Sequence, residues 1–173
     1  MDRVLPGATA PHAEMTFDCD CTSALPKINR ALSYWKGKRQ DRDMPARRDI
    51  SPFEIKDVLP IVQFYDVVDR GASYRVRLLG TDVARLFDKD PTGKLFDRRS
   101  DSKLVARMLA VFDEVMSQRK PLIARAEHTA IQKINHSPIE SIYLPLSDAG
   151  TDINMIFAAT VVLAPYSATQ LAG

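Results

Sequence analysis

The sequence predicts an α+β domain: a five-stranded antiparallel sheet with helices on one face and an N-terminal amphipathic helix. Three observations favour this class. The predicted elements run in the order helix, two strands, helices, three strands, and the strands of each group follow one another through short turns. The last strand is apolar on both sides, and the segment 74–87 changes from a strand period to a helical period. We therefore expect a sheet that needs cover on both faces.

The first predicted element is a helix over residues 23–38, for which Ser23 is a suitable N-cap. One apolar stripe at helical spacing comprises Leu25, Ile28, Leu32 and Trp35. Such a stripe is stable only when it is buried, and the sheet has a second apolar face to cover. The helix can cover that face alone or with a partner subunit, and we expect these four residues to lie at or beside the interface of a homodimer.

Residues 1–22 are rich in Pro, Ala, Thr and Asp without periodicity, which predicts a flexible N-terminal tail. A single domain is then expected over residues 23–165, followed by a C-terminal tail at 166–173. At 173 residues, with 45% hydrophobic and 27% charged residues, the chain suits one core. No segment has the roughly 18 apolar residues of a membrane span, and no secretion signal is visible, so we expect a cytoplasmic protein.

The segment 74–87 predicts a strand that runs directly into a short helix. Tyr74, Val76 and Leu78 alternate with two arginines, as in a strand with one buried face. Gly80 ends this pattern, and the apolar residues that follow recur at helical spacing. The chain is therefore expected to bend back over the sheet at this glycine.

The remaining elements follow from similar patterns. A strand at 59–68, rich in branched and aromatic residues, pairs with the strand just described to form a hairpin. The longest helical pattern begins at Ser100 or Ser102 and ends before Pro121. Strand-like runs at 122–129, 139–146 and 153–163 complete the predicted fold.

A partly apolar ligand pocket is predicted between the sheet and the helices of residues 81–119, because bulky and small side chains face each other there. A solid core remains the alternative, since protein interiors are usually close-packed. The predicted lining residues are Tyr74, Val76, Leu78, Phe87, Leu95, Met108, Phe112, Ala158 and Thr160.

The sequence favours no catalytic residue, metal site or cofactor. Haem needs an axial ligand, but His128 and His136 fall at a strand end and in a loop. Cys19 and Cys21 lie in the predicted tail, away from any pocket, and are too close for an unstrained disulfide. No nucleophile signature or glycine-rich phosphate loop is present. We therefore predict a protein that is not an enzyme.

The main charge asymmetry is the basic stretch at 27–48, although the formal net charge of the chain is only +2. A solvated helix face followed by a charged connector is the simpler interpretation. The alternative is a nucleic-acid-associated regulator that uses this stretch. No helix-turn-helix, zinc-finger or RNA-binding signature accompanies it, so nucleic acid is the less favoured partner.

Several short motifs occur together in an order that resembles the PAS sensory fold, and in particular a bacterial family of stand-alone PAS proteins. These are YW at 34–35 with PARRDISPFEI downstream, LPIVQFYDV at 59–67, YRVRLLGT at 74–81, DPTGK at 90–94 and LPLSDAG at 144–150. Asp88 is a departure, since such proteins often carry glycine before this loop. The resemblance implies a non-enzymatic sensor or adaptor of bacterial signalling that binds a small molecule, a protein partner or both.

Overall fold

The computed structural model describes residues 2–3, 15–131, 134 and 137–163. The predicted C-terminal tail and residues 1 and 4–14 of the predicted N-terminal tail lie outside these ranges. Eight strands form one antiparallel sheet in the order β1-β2-β6-β7-β8-β3-β4-β5. They are β1 (Asp2–Arg3), β2 (Met15–Asp18), β3 (Val62–Val68), β4 (Ser73–Leu79), β5 (Leu95–Asp97), β6 (Leu122–Ala126), β7 (Ile139–Leu146) and β8 (Met155–Val162). The α-helices are α1 (Pro26–Arg39), α2 (Thr81–Ala84) and α3 (Lys103–Gln118).

The α+β class is confirmed, but the predicted number of strands is wrong. All five predicted strands are present as β3, β4, β6, β7 and β8, and the short strands β1, β2 and β5 widen the sheet. Seven of the eight strands have at least three residues, while β1 has two. Strands as short as these carry too few residues to show a period-two pattern in the sequence.

Helix α1 covers one face of the sheet within the same chain. Ile28, Leu32 and Trp35 are buried, and Trp35 Nε1 donates a hydrogen bond to the Pro145 carbonyl oxygen at 2.8 Å. Leu25 is the N-cap residue and packs partly buried on the same core. Three of the four residues predicted for a dimer surface are therefore inaccessible, and the stripe needs no partner subunit to cover it.

The predicted cap of α1 is also corrected. Ser23 lies before the helix, which begins at Pro26 and has no side-chain cap. The Ser23 hydroxyl instead accepts a hydrogen bond from the Leu25 amide at 3.0 Å and donates one to Glu140. Proline at the first helical position has no amide to satisfy, so the helix start tolerates the missing cap.

Helix α3 packs against β5, β6 and β7 on the opposite face from α1. Its start is capped as expected, because the Ser102 hydroxyl accepts a hydrogen bond from the Val105 amide at 3.4 Å. Its C-cap, Arg119, adopts a left-handed conformation with φ 54°. Phe112 and Val115 are fully buried against the sheet. The sheet therefore lies between two helices that come from distant parts of the chain.

A β-bulge changes which side chains of β4 face α3. Phe64 lies opposite Leu78, but the next residue of β3 lies opposite Val76, so that Arg77 is the extra residue. Beyond the bulge, the side chains of β4 again alternate between the two faces of the sheet, but each is shifted to the opposite face. Leu79, and not Leu78, consequently shares a face with Val76.

Residues 15–22 are part of the fold, so the prediction of a flexible tail over 1–22 is wrong there. Strand β2 pairs with β6, and the nearly buried Asp18 carboxylate accepts hydrogen bonds from three following backbone amides at 2.9–3.0 Å. Arg125 contacts Asp18 at 3.3 Å and Glu140 at 2.8 Å. The ion pairs of Arg125 with Asp18 and Glu140 therefore attach the segment before α1 to the sheet.

Replacing Asp18 with Asn should destabilise the protein by about 1–3 kcal/mol at neutral pH, because the buried partners of the carboxylate lose their charged acceptor. Burial raises the pKa of Asp18, but hydrogen bonds from the Thr22 and Asp20 amides and from Arg125 outweigh it and leave the pKa below its usual value. The stabilisation is therefore present above the unfolded-state pKa of about 4 and is lost as pH falls through the lower folded-state pKa.

Urea unfolding of wild type and Asp18→Asn at a series of pH values measures this difference. The gap between the two proteins should narrow steadily as the solution is acidified below about pH 4. A gap that stays constant over that range would show that the Asp18 charge contributes nothing.

Candidate functional site

A cavity of about 70 Å³ lies between the sheet and the first turns of α3. A site of about 10–15 Å³ already holds one water, so this volume suits several waters or one small ligand. Its walls are mainly apolar and come from β4, α2, the segment before α3 and α3 itself. The apolar wall residues include Val76, Leu79, Val83, Leu86, Phe87, Phe96, Leu104, Met108 and Val111.

A chain of buried polar side chains forms the sheet side of the cavity. Tyr65 donates a hydrogen bond to Gln63 Oε1 at 2.7 Å, and Gln63 Nε2 donates one to Thr160 Oγ1 at 2.6 Å. The hydroxyls of Thr160 and Ser141 are 2.7 Å apart. All four residues are buried and line the cavity. Satisfied polar networks of this kind fix side-chain positions in a low-dielectric interior.

Tyr143 adds a phenol with a weak partner. Its hydroxyl contacts the Met108 sulfur at 4.0 Å, and a thioether is a poor acceptor. Burial raises the pKa of Tyr143 to about 12, against an opposing effect of hydrogen bonding with Ser141. Burial together with the nearby Tyr143 holds the pKa of Tyr65 well above its usual value. Both phenols are therefore neutral hydrogen-bond donors at physiological pH. A ligand oxygen near Met108 would be a better acceptor for Tyr143 than the sulfur is.

Arg107 is the buried cation of the cavity wall, with 4% of its surface exposed. Its Nη1 atom donates a hydrogen bond to the His128 carbonyl oxygen at 2.6 Å. This contact joins α3 to the segment that follows β6, where Thr129, Ala130 and Ile131 also line the cavity. Arg107 therefore links α3 to the wall of the cavity formed by residues 129–131.

Four of the predicted pocket residues line the cavity: Val76, Phe87, Met108 and Thr160. They come from three different elements and from the segment after α2. Thr160 has a further role, because it is the central member of the polar chain.

Leu78 and Leu95 were predicted to line the pocket but lie on the outer side of the sheet, 40% and 43% exposed. The bulge turns Leu78 outward, and Leu95 pairs with Arg75, whose side chain is exposed. The neighbouring Phe96 faces the cavity instead.

Tyr74, Phe112 and Ala158 are fully buried but do not border the cavity. The rings of Tyr74 and Phe112 pack against each other at a tilt of 41°, with centroids 4.5 Å apart. Ala158 lies between its cross-strand partners Gln63 and Tyr143. These three residues belong to close-packed core, which was the alternative to a pocket in the sequence analysis.

The polar chain was missed from sequence. Its signal is visible in retrospect: Gln63 and Ser141 are neutral polar residues within largely apolar strands, and a buried site tolerates such groups when they are paired. What the sequence does not show is that the two strands place these residues on the same face, on either side of β8.

The short helix α2 separates the cavity from the outer surface. Val83 and Leu86 line the cavity on one side and, on the other, a surface groove that also contains Lys27 and Val162. The helix follows β4 directly, as predicted, with Gly80 as its N-cap residue and no side-chain cap. A ligand that displaces α2 would therefore alter the surface beside the start of α1.

Three of the eight cations in the basic stretch at 27–48 form ion pairs within the chain: Arg30 with Asp57, Lys38 with Glu54, and Arg42 with Asp49. The guanidinium of Arg47 lies over the Phe64 ring with a centroid distance of 4.6 Å. This pairing weakens the nucleic-acid alternative, since phosphate binding needs available cations.

The structure also places the residues considered for cofactor or metal chemistry. His128 is exposed, Cys19 is exposed and Cys21 is half-buried, while His136 lies outside the described residues. Burial raises the pKa of Cys21 to about 11, with Asp18 adding to the effect, so this thiol stays protonated. In the part of the chain that is described, no three His, Cys, Asp or Glu side chains cluster as a metal site would require.

The fold and the cavity define a class: an α+β domain with one antiparallel sheet and a small cavity between sheet and helices. A family model described as PAS domain matches residues 24–160. The chain belongs to the PAS domain family, which confirms the resemblance read from the sequence and indicates a sensory or signalling role. No curated protein matches the chain. Among the described residues, no helix is both long and apolar enough to cross a membrane.

Replacing Gly80 with Ala should destabilise the protein by about 1–3 kcal/mol or more, because overpacking shifts the backbone. An added Cβ would lie 2.4 Å from the carbonyl oxygens of both Leu59 and Pro60. The matched control is Gly37→Ala in α1, where a Cβ meets nothing within 4 Å. That control should stabilise the helix by roughly 0.5–1 kcal/mol. Urea unfolding measures both, and equal effects of the same sign would contradict this account of the strand–helix junction.

Proposed function

We propose that this protein is a non-enzymatic PAS sensor that binds a small molecule in the cavity and signals through contact with a protein partner. The observation that carries the proposal is the cavity itself, with apolar walls and an ordered polar side. Family membership supports a sensory role, and the buried phenols and amide supply hydrogen bonds for recognition. No described side-chain set suggests a catalytic nucleophile with its base.

The chemistry of the lining favours a small, largely apolar and neutral ligand with one hydrogen-bond acceptor. The volume of about 70 Å³ is far below the roughly 300–1,000 Å³ of drug-sized sites, so the ligand has few heavy atoms or displaces part of the wall. The acceptor would replace the Met108 sulfur as partner of the Tyr143 hydroxyl. Gln63 and Thr160 already satisfy each other and would fix the orientation of the site.

Signal output would pass through α2. Its inner side chains touch the cavity and its outer surroundings belong to the groove beside α1, so ligand binding and surface shape are linked through one short element. A ligand shifts this element only to the extent that it binds one position of α2 more tightly than the other. A homodimer stays a prediction of this proposal, with its interface outside the buried stripe of α1.

Ala124→Leu should abolish ligand-induced thermal stabilisation, because the added side chain enters the cavity from β6, where Ala124 is a lining residue. The matched control is Ala110→Leu on α3, since Ala110 is half-buried and lines an outer groove but not the cavity. The probes are phenol, which has an acceptor oxygen, and toluene, which has none.

Wild type and the control should melt at a higher temperature with phenol, and toluene should have a smaller effect. Differential scanning fluorimetry measures these shifts. Stabilisation of Ala124→Leu equal to that of wild type would place the probe elsewhere, and no stabilisation of any protein by either probe would leave a protein-interaction adaptor as the better function.

A further inference from the structure

A groove of about 410 Å³ lies between the C-terminal ends of α1 and α3, on a different part of the surface from the cavity. Trp35 and Met44 form its base and are almost fully buried, at 3% and 1% exposure. Pro121, which is half-buried, contributes to one wall. The groove therefore has an apolar but almost fully buried base beneath more exposed walls.

Four cations line this groove, two from each helix end: Lys36, Arg39, Arg119 and Lys120. All four are exposed, and within the described residues none of them forms a salt bridge. The guanidinium groups of Arg39 and Arg119 donate to the backbone carbonyls of Arg42 and Thr151, which positions them without neutralising their charge. Asp43 is the one carboxylate among the lining residues.

Stabilisation of the helix ends does not account for this arrangement by itself. A helix C-terminus carries a partial charge of about −0.5, so two of them offset roughly one cation. Four cations and one carboxylate therefore leave a positive excess. This contrasts with the rest of α1, where Arg30 and Lys38 are paired with acidic side chains.

The shape and lining of the groove favour an acidic peptide over a nucleic acid. Single strands bind by stacking bases on exposed aromatic rings, but Trp35 is almost wholly buried here. A peptide would place carboxylates on the rim cations and an apolar side chain against the half-buried Pro121 in one wall. The chain's own undescribed ends are poor candidates, because residues 4–14 contain one acidic residue, Glu14, and residues 164–173 contain none.

We propose that the groove between the ends of α1 and α3 docks an acidic peptide segment of a partner protein, with apolar residues between its carboxylates. This surface is independent of the cavity, so it does not require a bound small molecule. It would give the sensor a site of contact with a second protein at the meeting point of the two helices that cover the sheet.

The test measures fluorescence anisotropy of a fluorescein-labelled peptide in which Glu and Leu alternate, with full-length protein in a salt series. The groove variant is the double substitution Lys36→Glu and Lys120→Glu. The control, Lys89→Glu with Lys94→Glu, changes two exposed lysines outside the groove and alters net charge by the same amount. Circular dichroism checks that both variants are folded.

Wild type and control should bind the peptide with affinity that falls as salt rises, and the groove variant should bind about tenfold more weakly. A peptide with Gln in place of Glu should not bind. The proposal is overturned if wild type fails to bind, if both variants lose affinity equally, or if a single-stranded oligothymidine binds more tightly than the acidic peptide.

Discussion

The structure depends on one constraint: the central strands are apolar on both faces, so each face needs a separate cover. Helix α1 buries Ile28, Leu32 and Trp35 on one side, and α3 buries Phe112 and Val115 on the other. Each large side chain buried in this way contributes roughly 1.5–3 kcal/mol, so neither helix is dispensable. Helix α1 precedes β3 to β8 in the chain, and the ion pair between Asp18 and Arg125 attaches the segment before α1 to the sheet. This ion pair therefore helps to hold α1 on its face of the sheet.

The two faces of the sheet differ in how tightly they are packed, and the looser packing on the α3 side leaves the cavity. The α1 side is packed solidly, including the Phe64 and Phe157 rings stacked with centroids 5.0 Å apart. The α3 side is solid only where Tyr74 and Phe112 meet, and it leaves a cavity towards the start of the helix. On that part of the sheet, the side chains of Tyr65, Gln63, Thr160 and Ser141 form hydrogen bonds with one another. The cavity therefore does not leave these buried polar groups without a hydrogen-bond partner. A sensory role is consistent with a void that is polar on one side and apolar on the other.

Local patterns predicted the elements well, and non-local pairing decided what they could not predict. Periodicity was enough to find α1, α3, the hairpin and the strand–helix junction at Gly80, because each depends on neighbouring residues. The orientation of Leu78 depends on a bulge that β3 imposes on β4, and a shift of one residue reverses every later side chain. Strand β2 is stabilised by the contact of Asp18 with Arg125, more than a hundred residues away in the chain. The residues around Asp18 do not predict this contact. The same holds for the polar chain, whose members are brought together only by strand order.

A sensory role for the cavity requires that the space under α3 be accessible to a ligand in the folded protein. The most direct measurement is a crystal structure of the protein under xenon pressure, because xenon enters apolar cavities without specific contacts. We expect a xenon peak, or density for a retained small molecule, between Met108, Tyr143 and Phe96. Continuous side-chain packing in that region, with neither xenon nor other bound density, would contradict it.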